Sequence, residues 1–151
     1  MKIITPRRAA PLALFAVFAA FALSPGLALA APLQGKTTPA ALLDGYAQEV
    51  KAKDSSFGGF SAQRGEALFR GKFTASADTP SCTTCHTESP KQAGKTRAGK
   101  AIDPLAPSAN PARFTESDKV EKWFGRNCES VLGRPCTPLE KGDFITFIIG
   151  R

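Results

Sequence analysis

Histidine and methionine are almost missing from this chain: 151 residues hold one of each, His86 and Met1. Any mechanism that needs two imidazoles, or an imidazole beside a thioether, has almost nothing to draw on. Charge is also sparse, at 22% of residues against 42% hydrophobic, which excludes an intrinsically disordered chain and predicts a packed core. There is no internal repeat or coiled-coil heptad pattern, and a length of about 150 residues predicts one domain. What is present in excess is positive charge, with 20 Lys plus Arg against 13 Asp plus Glu, and four cysteines need an explanation.

Lys2, Arg7 and Arg8 precede an uncharged stretch from Ala9 to Ala30, apolar from Pro11 to Leu23, broken at Ser24-Pro25-Gly26 and ending in Ala28-Leu29-Ala30. These are the three regions of a secretory signal peptide over residues 1–30, cut after Ala30. The run is short for a membrane span, which needs roughly 20 apolar residues, and the Arg7-Arg8 pair is weak ground for twin-arginine export. Residues 31–151 then form a single domain with 17 basic and 13 acidic side chains, so the net charge falls from +7 to +4. Met1 leaves with the leader. The exported protein has no methionine and is expected in the periplasm, where disulfides persist.

Along the exported chain, residues 31–37 read as polar and loose. Thr38-Pro39 opens a first helix running to about Asp54, with Leu42, Leu43, Tyr46 and Val50 on one face. A second helix, Ala62 to Phe69, is capped by Ser61 and carries Gly65 on its apolar face, where a glycine either marks close approach of another backbone or is a tolerated surface residue. From Gly71 to Pro111 no periodic segment exceeds a turn, and so long a loop needs something other than protein to organise it. A third helix is expected from Thr115, with Asp118 completing a capping box and Val120, Trp123, Phe124 and Asn127 on one face. The last opens with the capping box Thr137-Pro138-Leu139-Glu140 and carries Phe144, Phe147 and Ile148; the cap favours helix over strand for its β-branched end. The fold class is all-α, with about four helices.

Inside the long loop stands Cys82-Thr83-Thr84-Cys85-His86, the attachment signature of c-type haem. Two cysteines three apart reach the two vinyl groups of a porphyrin, and the next residue places its imidazole under the iron. A thioredoxin-like pair would require a βαβ pattern, which is missing. A zinc site would draw on Cys82, Cys85, Cys128 and Cys136, but the second pair is separated by seven residues where zinc knuckles use two to four. Haem also explains the loop, as an apolar group for it to wrap. Cys128 and Cys136 most simply form a disulfide in an exported protein, the alternative being two buried free thiols.

With His86 on one side of the iron, the other side lacks the usual Met or second His. The candidates are Asn127, the lysines, Tyr46, or no protein ligand. Asn127 stands out on the expected apolar face beside Trp123 and next to Cys128, although a buried asparagine also serves simply to satisfy backbone groups.

The haem motif, Thr96-Arg97-Ala98-Gly99-Lys100, Pro104-Leu105-Ala106-Pro107-Ser108, Arg113-Phe114-Thr115, Val120-Glu121-Lys122-Trp123 and Gly125-Arg126-Asn127-Cys128 resemble the sphaeroides haem protein (SHP) family of oxygen-binding monohaem cytochromes c. The resemblance covers about residues 38 to 149. It implies a class I cytochrome c fold, one covalent haem c, iron held by His86 and a displaceable Asn127, and a Cys128–Cys136 bridge beside it. It also implies a dihaem cytochrome c and a membrane cytochrome b as redox partners. Ligand chemistry agrees, because a neutral amide is a weak, hard donor that suits ferric better than ferrous iron. Reduction is then expected to open a site for O₂, CO or NO.

Lys91, Lys95, Arg97 and Lys100 put four positive charges in ten residues. Nothing interleaves aromatics with them, so nucleic acid is not the expected partner. Arg97 and Lys100 are candidates to pair with the haem propionates, with Trp123 and Arg126 as weaker ones. A basic rim would suit an acidic electron donor, and the protein is expected as a monomer or weak dimer. The reading is an electron carrier with reversible gas binding. The rivals are a plain electron shuttle and a haem enzyme acting on a small nitrogen or oxygen species, the latter disfavoured because no second His is there to deliver protons.

Overall fold

The computed structural model describes residues 35–151, so the leader and its cleavage site lie outside the described residues. Five helices and one small hairpin follow in order: α1 (Pro39–Lys51), α2 (Ala62–Arg70), α3 (Thr83–His86), β1 (Gly94–Lys95), β2 (Ala101–Ile102), α4 (Ser117–Leu132) and α5 (Pro138–Ile149). α3 is a single turn, and β1 pairs antiparallel with β2, Gly94 opposite Ile102. Both fall inside the stretch read as unstructured, where two-residue strands and one turn leave no periodic signal in sequence.

The helix starts follow the local chemistry of their caps. The Thr38 hydroxyl accepts the Ala41 N–H at 3.1 Å, and the Ser61 hydroxyl accepts that of Arg64 at 3.2 Å, each worth about 1 kcal/mol. At α5 the expected box is complete, Thr137 accepting from the Glu140 N–H and Glu140 from the Thr137 N–H. α4 departs from expectation. Its N-cap is Glu116 with no side-chain cap, because the Thr115 hydroxyl donates instead to the Ala112 carbonyl in the preceding turn. The start of α4 is pinned from outside. The Thr37 N–H donates to the Thr115 carbonyl, and the Ser117 N–H and hydroxyl both donate to the Gly35 carbonyl. Residues 35–37 are therefore tied down, contrary to the loose reading of that segment.

α5 packs across both α1 and α2. At the α2 crossing, a methyl group on Gly65 would fall 2.0 Å from the Asp143 carbonyl oxygen and 2.9 Å from Phe147 Cβ, so the backbones meet at the expected glycine. The crossing is fastened by Asp143, only 4% exposed, which accepts the Ser61 N–H at 2.6 Å and the Arg64 guanidinium through both oxygens. Two apolar clusters fill the interior. One joins Leu42 and Tyr46 of α1 to Val120, Phe124 and Cys128 of α4, with Cys136 and Ile145; the other is Phe69, Phe147 and Ile148. Edge-to-face contacts of Phe124 with Tyr46 at 6.4 Å and Phe144 at 5.5 Å link the helices.

Candidate functional site

The cysteine-histidine motif sits on α3, with Cys82 at its N-cap and His86 as its last residue. The His86 N–H donates to the Cys82 carbonyl at 3.0 Å, so the motif closes one helical turn and Cys82, Cys85 and His86 lie close along it. Three neighbours hold this turn. The buried Ser81 hydroxyl donates to the Phe69 carbonyl and accepts the Thr83 N–H, tying the motif to the end of α2. The Thr79 hydroxyl bonds both the carbonyl and the hydroxyl of Ser130 on α4. β1 lies directly on the motif, since a methyl on Gly94 would fall 2.0 Å from the Cys85 carbonyl oxygen and 3.1 Å from His86 Cα. The exit is strained: Thr87 adopts φ 61°, ψ 177°, a conformation nearly confined to glycine, at a cost of order 1 to 3 kcal/mol.

Burial favours the neutral forms of Cys82 and His86. Cys82 and Cys85 are unbridged and half-buried, and burial pushes the Cys82 thiol up to about 11. Burial, with the Arg113 charge adding to it, pushes the His86 imidazole down to about 4. The imidazole is therefore unprotonated at neutral pH, as an iron ligand must be. Two unpaired thiols one turn apart beside a neutral imidazole form a donor set that fits a covalently attached haem. Cys82 also packs with Leu105 and Phe114 against the Phe69 cluster, so the first attachment point is on the apolar side.

On α4 the expected single face divides in two. Val120, Phe124, Cys128 and Val131 are buried, whereas Trp123 is 49% exposed and Asn127, four residues on, is exposed with it. The reason is helical phase: the chain contacts α1 and α5 through the i, i+4, i+8, i+11 row, and Trp123 and Asn127 fall in the adjacent row. Asn127 is thus not a buried asparagine serving backbone groups. Ser130, the partner of Thr79, follows Asn127 by three residues, so the bond that anchors the haem-motif segment reaches α4 beside Asn127. Cys128 and Cys136 stand at disulfide distance, their Cα atoms 5.5 Å apart.

The remaining candidates are placed as follows. The hydroxyl of buried Tyr46 donates to the exposed Glu121 carboxylate, and burial with that partner raises its ionisation well above the ordinary range. Arg97 pairs with Asp78 at 2.8 Å, both exposed, and Lys100 is exposed at the hairpin. Arg126 lies over the Trp123 ring at 5.6 Å. Sequence reasoning gave no role to Arg113, whose half-buried guanidinium donates to the Asp103 and Pro104 carbonyls. Its only signal in sequence was its place in the Arg113-Phe114-Thr115 run.

Known proteins agree with this geometry. Residues 55–148 match the family described as a domain of unknown function, DUF1924. The chain is 51% identical over 125 residues to cytochrome c-type protein SHP of Cereibacter sphaeroides, covering 82% of this chain and 92% of that one. It is 44% identical over 87 residues to cytochrome c'' of Methylophilus methylotrophus, covering 56% and 60% of the two chains. Among solved structures it matches oxidised SHP, described as an oxygen-binding cytochrome c, with a TM-score of 0.70 and 52% identity over 78% of this chain and all of the other. Oxidised cytochrome c'' matches at 0.66 and 34% identity, over 74% and 92%. Fold and donor set define the class: a small c-type cytochrome with one covalently bound haem. Within that class the chain belongs to the SHP family.

Proposed function

We infer that this protein is an exported electron carrier that binds a diatomic gas reversibly at an iron guarded by Asn127. Haem would supply a redox-active iron able to take an exchangeable gas ligand. Cys82 and Cys85 would hold the group through thioethers, and His86 would be its lasting protein ligand. Asn127 would hold ferric iron and hold ferrous iron poorly, because a neutral amide is a weak, hard donor. The observation that carries this reading is the Thr79–Ser130 hydrogen bond, which joins the segment leading into the haem motif to α4 three residues from Asn127. It is supported by the lack of a second histidine and of any methionine after residue 1, and by the likeness to an SHP described as oxygen-binding.

A periplasmic location fits the leader and the Cys128–Cys136 pair. The Cys128 link to Cys136 fixes the helix turn that bears Asn127 and so limits where the amide can go. A redox partner protein with an acidic face would meet the basic rim.

Optical spectra of both oxidation states, with and without CO, test the reading. The ferric form is expected six-coordinate and low-spin, and the ferrous form high-spin and reactive toward CO. Asn127→Ala should turn the ferric form high-spin while leaving the haem attached. A ferrous form that stays low-spin and refuses CO would leave a plain electron shuttle.

A further inference from the structure

Arg113 lies in the turn between the β2 segment and α4. Its Nε donates to the Pro104 carbonyl at 2.7 Å and its Nη2 to the Asp103 carbonyl at 2.5 Å. That anchors the plane of the guanidinium on two successive peptide oxygens and leaves three of its five N–H groups uncommitted. The carbonyls it grips belong to a segment tied to the haem motif, since the Leu105 and Ala106 N–H groups both donate to the Pro90 carbonyl, four residues after His86. Phe114, the next residue, packs against both core clusters and takes φ 60°, so the turn that presents Arg113 is held rather than free.

A half-buried cation needs a compensating anion. Among the described residues none pairs with Arg113: the exposed Asp103 carboxylate acts on it only through space, and both of its short contacts are to neutral carbonyls. Burial accordingly holds the guanidinium below its ordinary range, while its charge reaches His86. The cations that the sequence suggests for the propionates are placed differently. Arg97 is paired with Asp78 and Lys100 is exposed in solvent.

We propose that Arg113 is the cation that binds a haem propionate, through the N–H groups its carbonyl contacts leave free, with Arg97 and Lys100 serving only the outer surface. This rests on haem attachment at Cys82, Cys85 and His86. A carboxylate takes two N–H groups of a planar fork at once, and pre-anchoring lowers the entropy lost in doing so.

The test uses the intact haem protein reduced under CO. Ferrous iron that takes CO, and ferrous iron that stays low-spin and refuses it, are both diamagnetic, so the result does not depend on the gas-binding reading. Nuclear Overhauser contacts are expected from propionate methylene protons to the Arg113 side chain. Contacts to Arg97 or Lys100 in their place, or none to Arg113, would overturn the proposal. In parallel, Arg113→Gln should lower the reduction potential by more than Arg97→Ala or Lys100→Ala, because an uncompensated carboxylate stabilises ferric iron. Arg113→Lys should recover part of the shift. An unmoved potential with an intact haem spectrum in Arg113→Gln counts against it, and should that variant lose its haem the wild-type contacts decide alone. Absence of a pyridine haemochrome from the wild-type protein would instead refute haem attachment.

Discussion

The helical scaffold and the segment from residue 71 to 116 are held together by different means. In α1, α2, α4 and α5 the large side chains bury one another: Phe69, Leu42, Ile145, Phe147 and Ile148 are almost wholly inaccessible. The crossing of α2 on α5 is close enough to require Gly65. Between residues 71 and 116, Ala106 is the only hydrophobic residue in the fully buried set. Order there comes from polar contacts instead, such as Ser81 on Phe69, Thr79 on Ser130 and Arg113 on Pro104. Two non-glycine residues, Thr87 and Phe114, are held at positive φ in this segment. A self-sufficient core therefore frames a segment whose apolar partner is the cofactor, and strain is stored only on the second side.

The widest test of this contrast removes the tether. In Cys82→Ala combined with Cys85→Ala, covalent haem should be lost completely, read as the absence of a pyridine haemochrome. Hydrogen exchange should then show protection surviving in α1, α2 and α5 and vanishing across residues 71–116. Equal loss in both regions would mean that the scaffold depends on haem as well.

Gly65→Val attacks the scaffold from the other side. A branched side chain placed 2.0 Å from the Asp143 carbonyl forces α2 off α5, and denaturant unfolding should show a loss of about 3 kcal/mol or more. Cys128→Ser with Cys136→Ser opens an eight-residue separation. It should cost about 2 to 3 kcal/mol on the chain-entropy model. Because the bridge sits in the α1–α4–α5 cluster, the ferric spectrum should also gain a high-spin fraction as the Asn127 turn loosens. A spectrum unchanged by this pair would separate the bridge from the iron site.

The smallest effect is one of pH. The Arg134 guanidinium, helped by the Thr137 N–H and hydroxyl, holds the Glu140 carboxyl down to about 2 against an ordinary 4.5. A lowered folded-state value stabilises the fold above the unfolded value, so this contribution is full above about pH 4.5 and is lost as pH falls toward 2. Arg134 is half exposed, so the amplitude should stay below about 1 kcal/mol and shrink in salt. Acid titration of stability in Glu140→Gln should lack this slope.

Local chemistry was the part that could be read in advance. Thr38, Ser61 and the Thr137–Glu140 box start their helices as expected because a cap is a contact between residues three apart. Gly65 was half legible: sequence left a helix crossing and a tolerated surface glycine open, and the approach of Asp143 decides for the crossing. Cys-x-x-Cys-His was legible because its spacing is set by the porphyrin and not by the fold. The start of α4 was not, since the Thr115 hydroxyl could accept a helix N–H or donate to the Ala112 carbonyl, and contacts of Gly35 and Thr37 pin the helix start from outside. Nor was the division of α4: a row of Val120, Phe124 and Cys128 and a row of Trp123 and Asn127 share apolar and aromatic character, and only docking against α1 and α5 decides which row is buried.

Counting alone left the iron one histidine and, past Met1, no methionine, and so pointed to a weak partner ligand or none beside His86. Tertiary structure decided what counting leaves open. It committed Tyr46 to Glu121 and Arg97 to Asp78, left Asn127 exposed on the turn before Ser130, and seated Arg113 on two neutral carbonyls with no ion-pair partner. The physical reason is range: covalent spacing and capping act over a few residues, whereas burial and charge pairing depend on groups that only the folded chain brings together.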